Sequence, residues 1–147
     1  MNSEASEKVL LKEESFLIQG AIFEVYRELG CGFIEAVYQE ALTREFILRN
    51  IPFVSQSDMT IEYKGFILNQ IYRPDFVCYE KIILEFKAVK ETLDEHKAQL
   101  HNYLKVSKLH LGLLVNFGHY PRATVERIVL KNVNLLFIFR FLIFPLM

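Results

Sequence analysis

An α/β sandwich with a mixed central sheet is the fold class that this sequence predicts, and three observations predict it. The chain opens on two stretches of apolar residues at helical spacing. It then changes abruptly to short, strand-like segments broken by turn residues. Finally it returns to a helical pattern followed by a brief, continuous apolar run of the kind a buried strand shows. Helices, then an antiparallel meander, then a helix and a strand imply a sheet covered by helices.

The first helix is expected over Glu13 to Leu29, where Phe16, Leu17, Ala21, Val25 and Leu29 recur with Ile18 and Ile22 beside them. Gly30-Cys31-Gly32 ends it, because glycine tolerates the left-handed backbone after a helix C-terminus. The second runs from about Ile34 to Arg49, with Val37, Tyr38, Ala41, Leu42, Glu45 and Leu48 in register and Asn50 as terminator. Pro52 to Tyr63 and Phe66 to Tyr72 read as strands joined by a tight Lys64-Gly65 turn. Phe76 to Cys78 and Ile82 to Phe86 are two more, joined through Tyr79-Glu80-Lys81. Thr92 to Val106 is the third helix, packing through Leu93, Ala98, Leu100, Tyr103 and Leu104, and Leu111 to Phe117 is the buried strand.

The bulk numbers suit one domain. The chain has 147 residues, 52% of them hydrophobic and 24% charged, enough apolar material for a core and unlike a disordered chain. Residues 1–132 are expected to form that domain. Residues 133–147 form an apolar extension, interrupted by Arg140 and too short to span a bilayer, which suits packing first and a homo-oligomer or membrane-surface contact second. Cys31 and Cys78 make neither a disulfide framework nor a metal knuckle, so a reducing, cytoplasmic setting is expected. The polar N-terminus carries no signal-peptide pattern. The net charge is -1, yet it is unevenly placed: residues 1–86 hold 8 basic and 14 acidic side chains, and residues 87–147 hold 9 and 4. A basic half beside an acidic cluster suits a phosphate-facing surface around a metal, although solvated faces also differ in charge.

The chemistry concentrates between Tyr72 and Ala88. Pro74 lacks an amide donor and disfavours helix at Arg73, so Asp75 begins or bends a strand. Glu85 follows ten residues later and Lys87 two beyond it. Side chains two apart on a strand share a face, so Glu85 and Lys87 point one way and Leu84 and Phe86 the other. A short hairpin would set Asp75 beside Glu85. Two converging carboxylates repel unless a cation lies between them, and hard oxygen ligands suit Mg²⁺ or Mn²⁺. Such an ion acidifies water and polarises a phosphodiester, while Lys87 would orient the water or stabilise charge developing on phosphorus. An Asp before a strand and a Glu-x-Lys on an edge are also common in solvated faces, so the flanking residues matter.

Gln99 and Tyr103 share a helix face four residues apart, and that face could turn Gln99 toward the site to hold a phosphate or a water. Glu35 opens the second helix, where a carboxylate suits the helix dipole and could serve as an extra acidic group for the metal. Lys90 and Lys97, with Lys105 and Lys108, are candidate phosphate contacts. His96, His101, His110 and His119 lack the spacing of zinc ligands and read as surface or phosphate-facing residues.

Taken in order, these motifs resemble the GxxExxY family within the PD-(D/E)xK nuclease superfamily. The naming motif stands as Gly32-Phe33-Ile34-Glu35-Ala36-Val37-Tyr38. The likeness continues through Glu40-Ala41-Leu42, Arg73-Pro74-Asp75-Phe76-Val77, Leu84-Glu85-Phe86-Lys87-Ala88 and Ala98-Gln99-Leu100-His101-Asn102-Tyr103-Leu104, and closes at Gly112-Leu113-Leu114-Val115-Asn116-Phe117-Gly118. It covers about residues 14 to 130. Cys31 stands where the family often has Pro, and Tyr26 where it often has His. The resemblance implies an α-β-β-β-α-β core and metal-dependent nucleic-acid cleavage. It carries catalytic roles onto Asp75, Glu85 and Lys87, with Glu35 and Gln99 after them. The leading expectation is therefore a Mg²⁺-dependent (or Mn²⁺-dependent) nuclease acting on DNA, in repair or in defence. The alternative is a non-catalytic nucleic-acid-binding or protein-interaction module on the same fold.

Overall fold

Periodicity divides the chain into helices and strands, and the computed structural model, which describes residues 11–130, shows which faces those elements bury. The expected extension at 133–147 lies outside the described residues.

Helix α1 spans Lys12–Leu29 and buries Ser15, Ile18, Ala21, Ile22, Val25 and Tyr26. Phe16, one of the apolar residues that mark this helix in the sequence, is 74% exposed, and Leu17 is exposed as well. Two apolar stripes run side by side on this helix, and the one through Ile18 and Ile22 faces inward. Gly30 follows with φ 68°, and the chain turns into α2, Glu35–Leu48. There Tyr38, Leu42 and Phe46 recur every four residues and are fully buried. Leu48, expected in register with them, is exposed, because two residues past Phe46 it lies about 200° round the helix, on the outer face.

Pro52 to Tyr63 is not one strand. It divides at Gln56, whose φ of 50° ends β1 (Phe53–Ser55) before β2 (Met59–Tyr63) begins. Strand β2 pairs antiparallel with β3 (Phe66–Tyr72) in a separate two-stranded ribbon. Lys64 and Gly65 both take positive φ at its tip, as the expected tight turn requires. The main sheet has five strands in the order β1-β4-β5-β6-β7. Here β4 is Phe76–Cys78, β5 Ile82–Lys87, β6 Leu111–Asn116 and β7 Thr124–Val129. The β5 and β6 strands run parallel, and all other neighbours in the main sheet are antiparallel. Strand β7 was not expected. Its Glu126-Arg127 centre breaks the apolar pattern, and as an edge strand it is only half-buried.

Helix α3, Asp94–Ser107, connects the parallel pair. Leu100 and Leu104 pack inward, whereas Leu93 and Ala98 are exposed, so fewer residues anchor this helix than expected. It approaches β6 closely at Gly112, where an added Cβ would lie 2.9 Å from the Leu100 side chain. His96, expected to be a surface residue, accepts the Leu93 amide at 3.0 Å through Nδ1 and so closes the first turn.

The sheet separates two cores. Ile82, Leu84, Phe86, Leu113 and Val115 pack with α1 and α2. Ile83 and Leu114 pack with Tyr72, Leu100 and Leu104 on the α3 side. Alternation along β5 thus leaves Glu85 and Lys87 on the α3 face, away from Leu84 and Phe86, as strand geometry requires.

Candidate active site

The β4–β5 register makes the site. Phe76 pairs with Leu84, so Asp75, one residue before β4, falls beside Glu85. The Asp75 amide donates to Glu85 Oε1 at 3.3 Å, and the Phe86 amide donates to Asp75 Oδ2 at 2.9 Å. The two carboxyl groups lie close enough for each to shift the ionisation of the other. Glu85 Oε1 also accepts the Tyr72 hydroxyl.

Electrostatics follow from that crowding. Burial raises the Glu85 carboxyl to about 7, and the neighbouring Asp75 charge adds to the rise. The Tyr72 hydroxyl, the Asp75 amide and Lys87 oppose it. Burial also raises Asp75, with the Glu35 charge adding to it, against the Phe86 amide, the Glu85 carboxyl and Lys87. The Lys87 charge therefore favours ionisation of both carboxyls.

A stability prediction follows from Glu85. Below its ordinary value of 4.5 the group is protonated in folded and unfolded chains alike. Between that value and about 7 only the unfolded chain ionises. Metal-free protein is therefore expected to lose stability as pH rises through this window, by roughly 2–3 kcal/mol. Urea unfolding at pH 5 and pH 8 measures the loss, and Glu85→Gln should flatten it. A metal-free wild type that unfolds with the same pH dependence as Glu85→Gln would show that Glu85 ionises freely in the folded chain.

Lys87 ends β5 and is half-buried. Its carbonyl accepts the Phe117 amide at 2.8 Å, and it pairs with Asn116 across the parallel ladder. Asn116 is buried, and its Oδ1 accepts the Val89 amide at 3.1 Å and the Gly118 amide at 2.9 Å. This clamp fixes the chain just past Lys87.

The other expected residues are distributed around this centre. Glu35 is exposed at the first position of α2, yet its charge reaches Asp75. The reason α2 arrives there is Tyr38, whose hydroxyl donates to the Gly30 carbonyl at 2.6 Å while its ring stacks on Phe117 at 4.4 Å. Gln99 Nε2 donates to the Tyr103 hydroxyl at 2.9 Å, so the expected shared face is real. Tyr103 stacks on Tyr72. Lys90 is exposed beyond β5. Lys97 is ion-paired with Glu126 at 3.3 Å and Asp94 at 3.9 Å.

Two residues at the site were missed by sequence reasoning. Tyr72 belongs to the separate ribbon, so no strand spacing ties it to Glu85. Asn116 did leave a signal, as the one polar side chain in the apolar run from Leu111 to Phe117.

Among the described residues no group of three or more His, Cys, Asp or Glu side chains is gathered as a metal cage. The donor set that does converge is a pair of carboxylates, and hard oxygen donors of this kind fit Mg²⁺ or Mn²⁺, which keep waters in their remaining positions. No helix among the described residues is long and apolar enough to cross a membrane.

Comparison with known proteins gives one family assignment, and it comes from sequence. No curated protein matches the chain. Among solved structures, the crystal structure of SSO0001 aligns with a TM-score of 0.46 at 18% identity, over 86% of this chain and 81% of that one. The sequence description of the PD-(D/E)XK nuclease superfamily matches residues 12–128, which takes in α1, α2, Asp75, Glu85, Lys87 and α3. The chain belongs to the PD-(D/E)XK nuclease superfamily.

Proposed function

We propose that this protein is a Mg²⁺- or Mn²⁺-dependent nuclease of the GxxExxY group that hydrolyses phosphodiester bonds in DNA, in repair or defence. The observation that carries the reading is the meeting of Asp75 and Glu85, two half-buried carboxyls held at raised pKa with Lys87 beside them. Such a pair destabilises the folded protein unless a cation neutralises it, and superfamily membership supplies the reason to keep it.

When bound, the ion supplies charge neutralisation and Lewis-acid activation of the phosphodiester. Asp75 and Glu85 would hold it, and Glu35 lends negative charge from the edge of the site. Lys87 places a positive charge on the Glu85 face, where it can orient the attacking water and offset negative charge growing on phosphorus. Lys90, exposed just beyond β5, would meet a backbone phosphate. Lys97 can do so only in competition with Glu126.

The net charge of -1 favours one alternative, a module that binds a partner without turnover. Purified protein incubated with duplex DNA, single-stranded DNA and RNA separates the two readings. Cleavage is expected with Mg²⁺ or Mn²⁺, greatest on DNA, and stopped by a chelator. No cleavage of any substrate with either ion would overturn the nuclease reading.

A further inference from the structure

We infer that Tyr72, Tyr103 and Gln99 form a brace that fixes the Glu85 carboxylate for its cation, with Gln99 and Tyr103 acting as positioning residues. The inference rests on the reading of Asp75 and Glu85 as cation ligands.

Glu85 is a flexible side chain, and ordering such a chain costs up to about 2 kcal/mol of rotamer freedom. Two donors restrain it here, the Tyr72 hydroxyl and the Asp75 amide, and both reach Oε1. Oε2 is thereby left as the oxygen available to an ion. Tyr72 is the last residue of β3 and the one buried residue of that strand, at 6% exposure. It is buried by its position between ribbon and sheet, against Ile83, Leu100 and Leu114.

Its ring is held from the helix side. Tyr72 and Tyr103 stack with centroids 3.3 Å apart and planes 10° from parallel. The Tyr103 hydroxyl in turn accepts the Gln99 amide. A continuous path of contacts therefore runs from an exposed helix residue to the carboxylate: Gln99 to Tyr103, Tyr103 to Tyr72, Tyr72 to Glu85. Outer contacts of this type commonly set metal affinity, and losing one typically weakens binding 10–100-fold.

Tyr72→Phe separates this role from simple packing, since it keeps the ring and removes only the hydroxyl. The experiment is calorimetric titration of Mn²⁺ into wild type, Tyr72→Phe, Tyr103→Leu, the double variant and Gln99→Met, with circular dichroism to check folding and the KM for DNA measured at saturating Mn²⁺. Tyr72→Phe is expected to raise the Mn²⁺ Kd about tenfold. Tyr103→Leu should do likewise, and the double variant should be no worse than the weaker single one, because the residues act in series. Gln99→Met should shift the Mn²⁺ Kd less, in the same direction, with KM unchanged. A wild-type Mn²⁺ Kd in Tyr72→Phe, or a Gln99→Met that raises KM and leaves the Kd alone, would overturn the brace. A wild type that takes up no Mn²⁺ overturns brace and metal site together. Mn²⁺ uptake weakened by Tyr72→Phe in a protein that cuts no nucleic acid would support the brace and sink the nuclease reading alone.

Discussion

Lys87→Ala should lower the rate of DNA cleavage by about 10²–10³-fold while leaving the protein folded. The strand survives because the bonds that hold this position are made by the backbone: the Lys87 carbonyl accepts the Phe117 amide, and the ladder to β6 continues through Asn116. Removing the ammonium takes away the positive charge that acts on both carboxyls and, on the proposed mechanism, the group that would meet charge growing on phosphorus. Initial rates with Mg²⁺ and with Mn²⁺, measured beside a thermal unfolding curve, test this. A variant that unfolds like wild type and cuts at the wild-type rate removes Lys87 from the chemistry. Lys87→Arg is not expected to restore full activity, since a planar guanidinium fills a half-buried place differently from a compact ammonium.

Gly118→Ala carries the largest expected effect on stability, about 3–5 kcal/mol. An added Cβ would lie 2.2 Å from the Val89 carbonyl oxygen, 2.5 Å from its nitrogen and 2.7 Å from its carbonyl carbon. All three atoms belong to the backbone, so no change of rotamer relieves the clash. The chain after β5 or the chain after β6 must move, which breaks the clamp that Asn116 makes to Val89 and Gly118. The urea midpoint should fall sharply, and activity should fall with it because Lys87 lies two residues before Val89. A wild-type midpoint would show that these two segments do not approach as closely as described. At Gly112 the obstacle is the Leu100 side chain, which can shift, so Gly112→Ala should be milder.

Much of this arrangement was legible in the sequence, and the remainder was hidden for definable reasons. The helices α1 to α3 announced themselves by spacing, and the first two also by their glycine and asparagine stops. The inward face of α1 did not, because two apolar stripes lie next to each other and only packing chooses between them. Asp75, Glu85 and Lys87 could be read from Pro74, from strand parity and from the length of a hairpin. The split at Gln56 was obscured by alternating residues that suit a strand on either side of it. Strand β7 was obscured by its charged centre. Gln99 and Tyr103 were visible as a pair, whereas their link to Glu85 runs through Tyr72, which a separate ribbon delivers. Sequence spacing reports neighbours within an element, and this contact is made between elements.

Strand β5 has one further consequence. Its even-numbered residues, Ile82, Leu84 and Phe86, fill one core, while Ile83, Glu85 and Lys87 look to the other side. A slip of one residue would exchange the two sets, driving a carboxylate and an ammonium into the aromatic layer beneath α1 and α2. Misregistration is thus penalised by the whole apolar pattern, and the placement of Glu85 and Lys87 is inherited from it. The strand proofreads its own alignment through the pattern of its side chains.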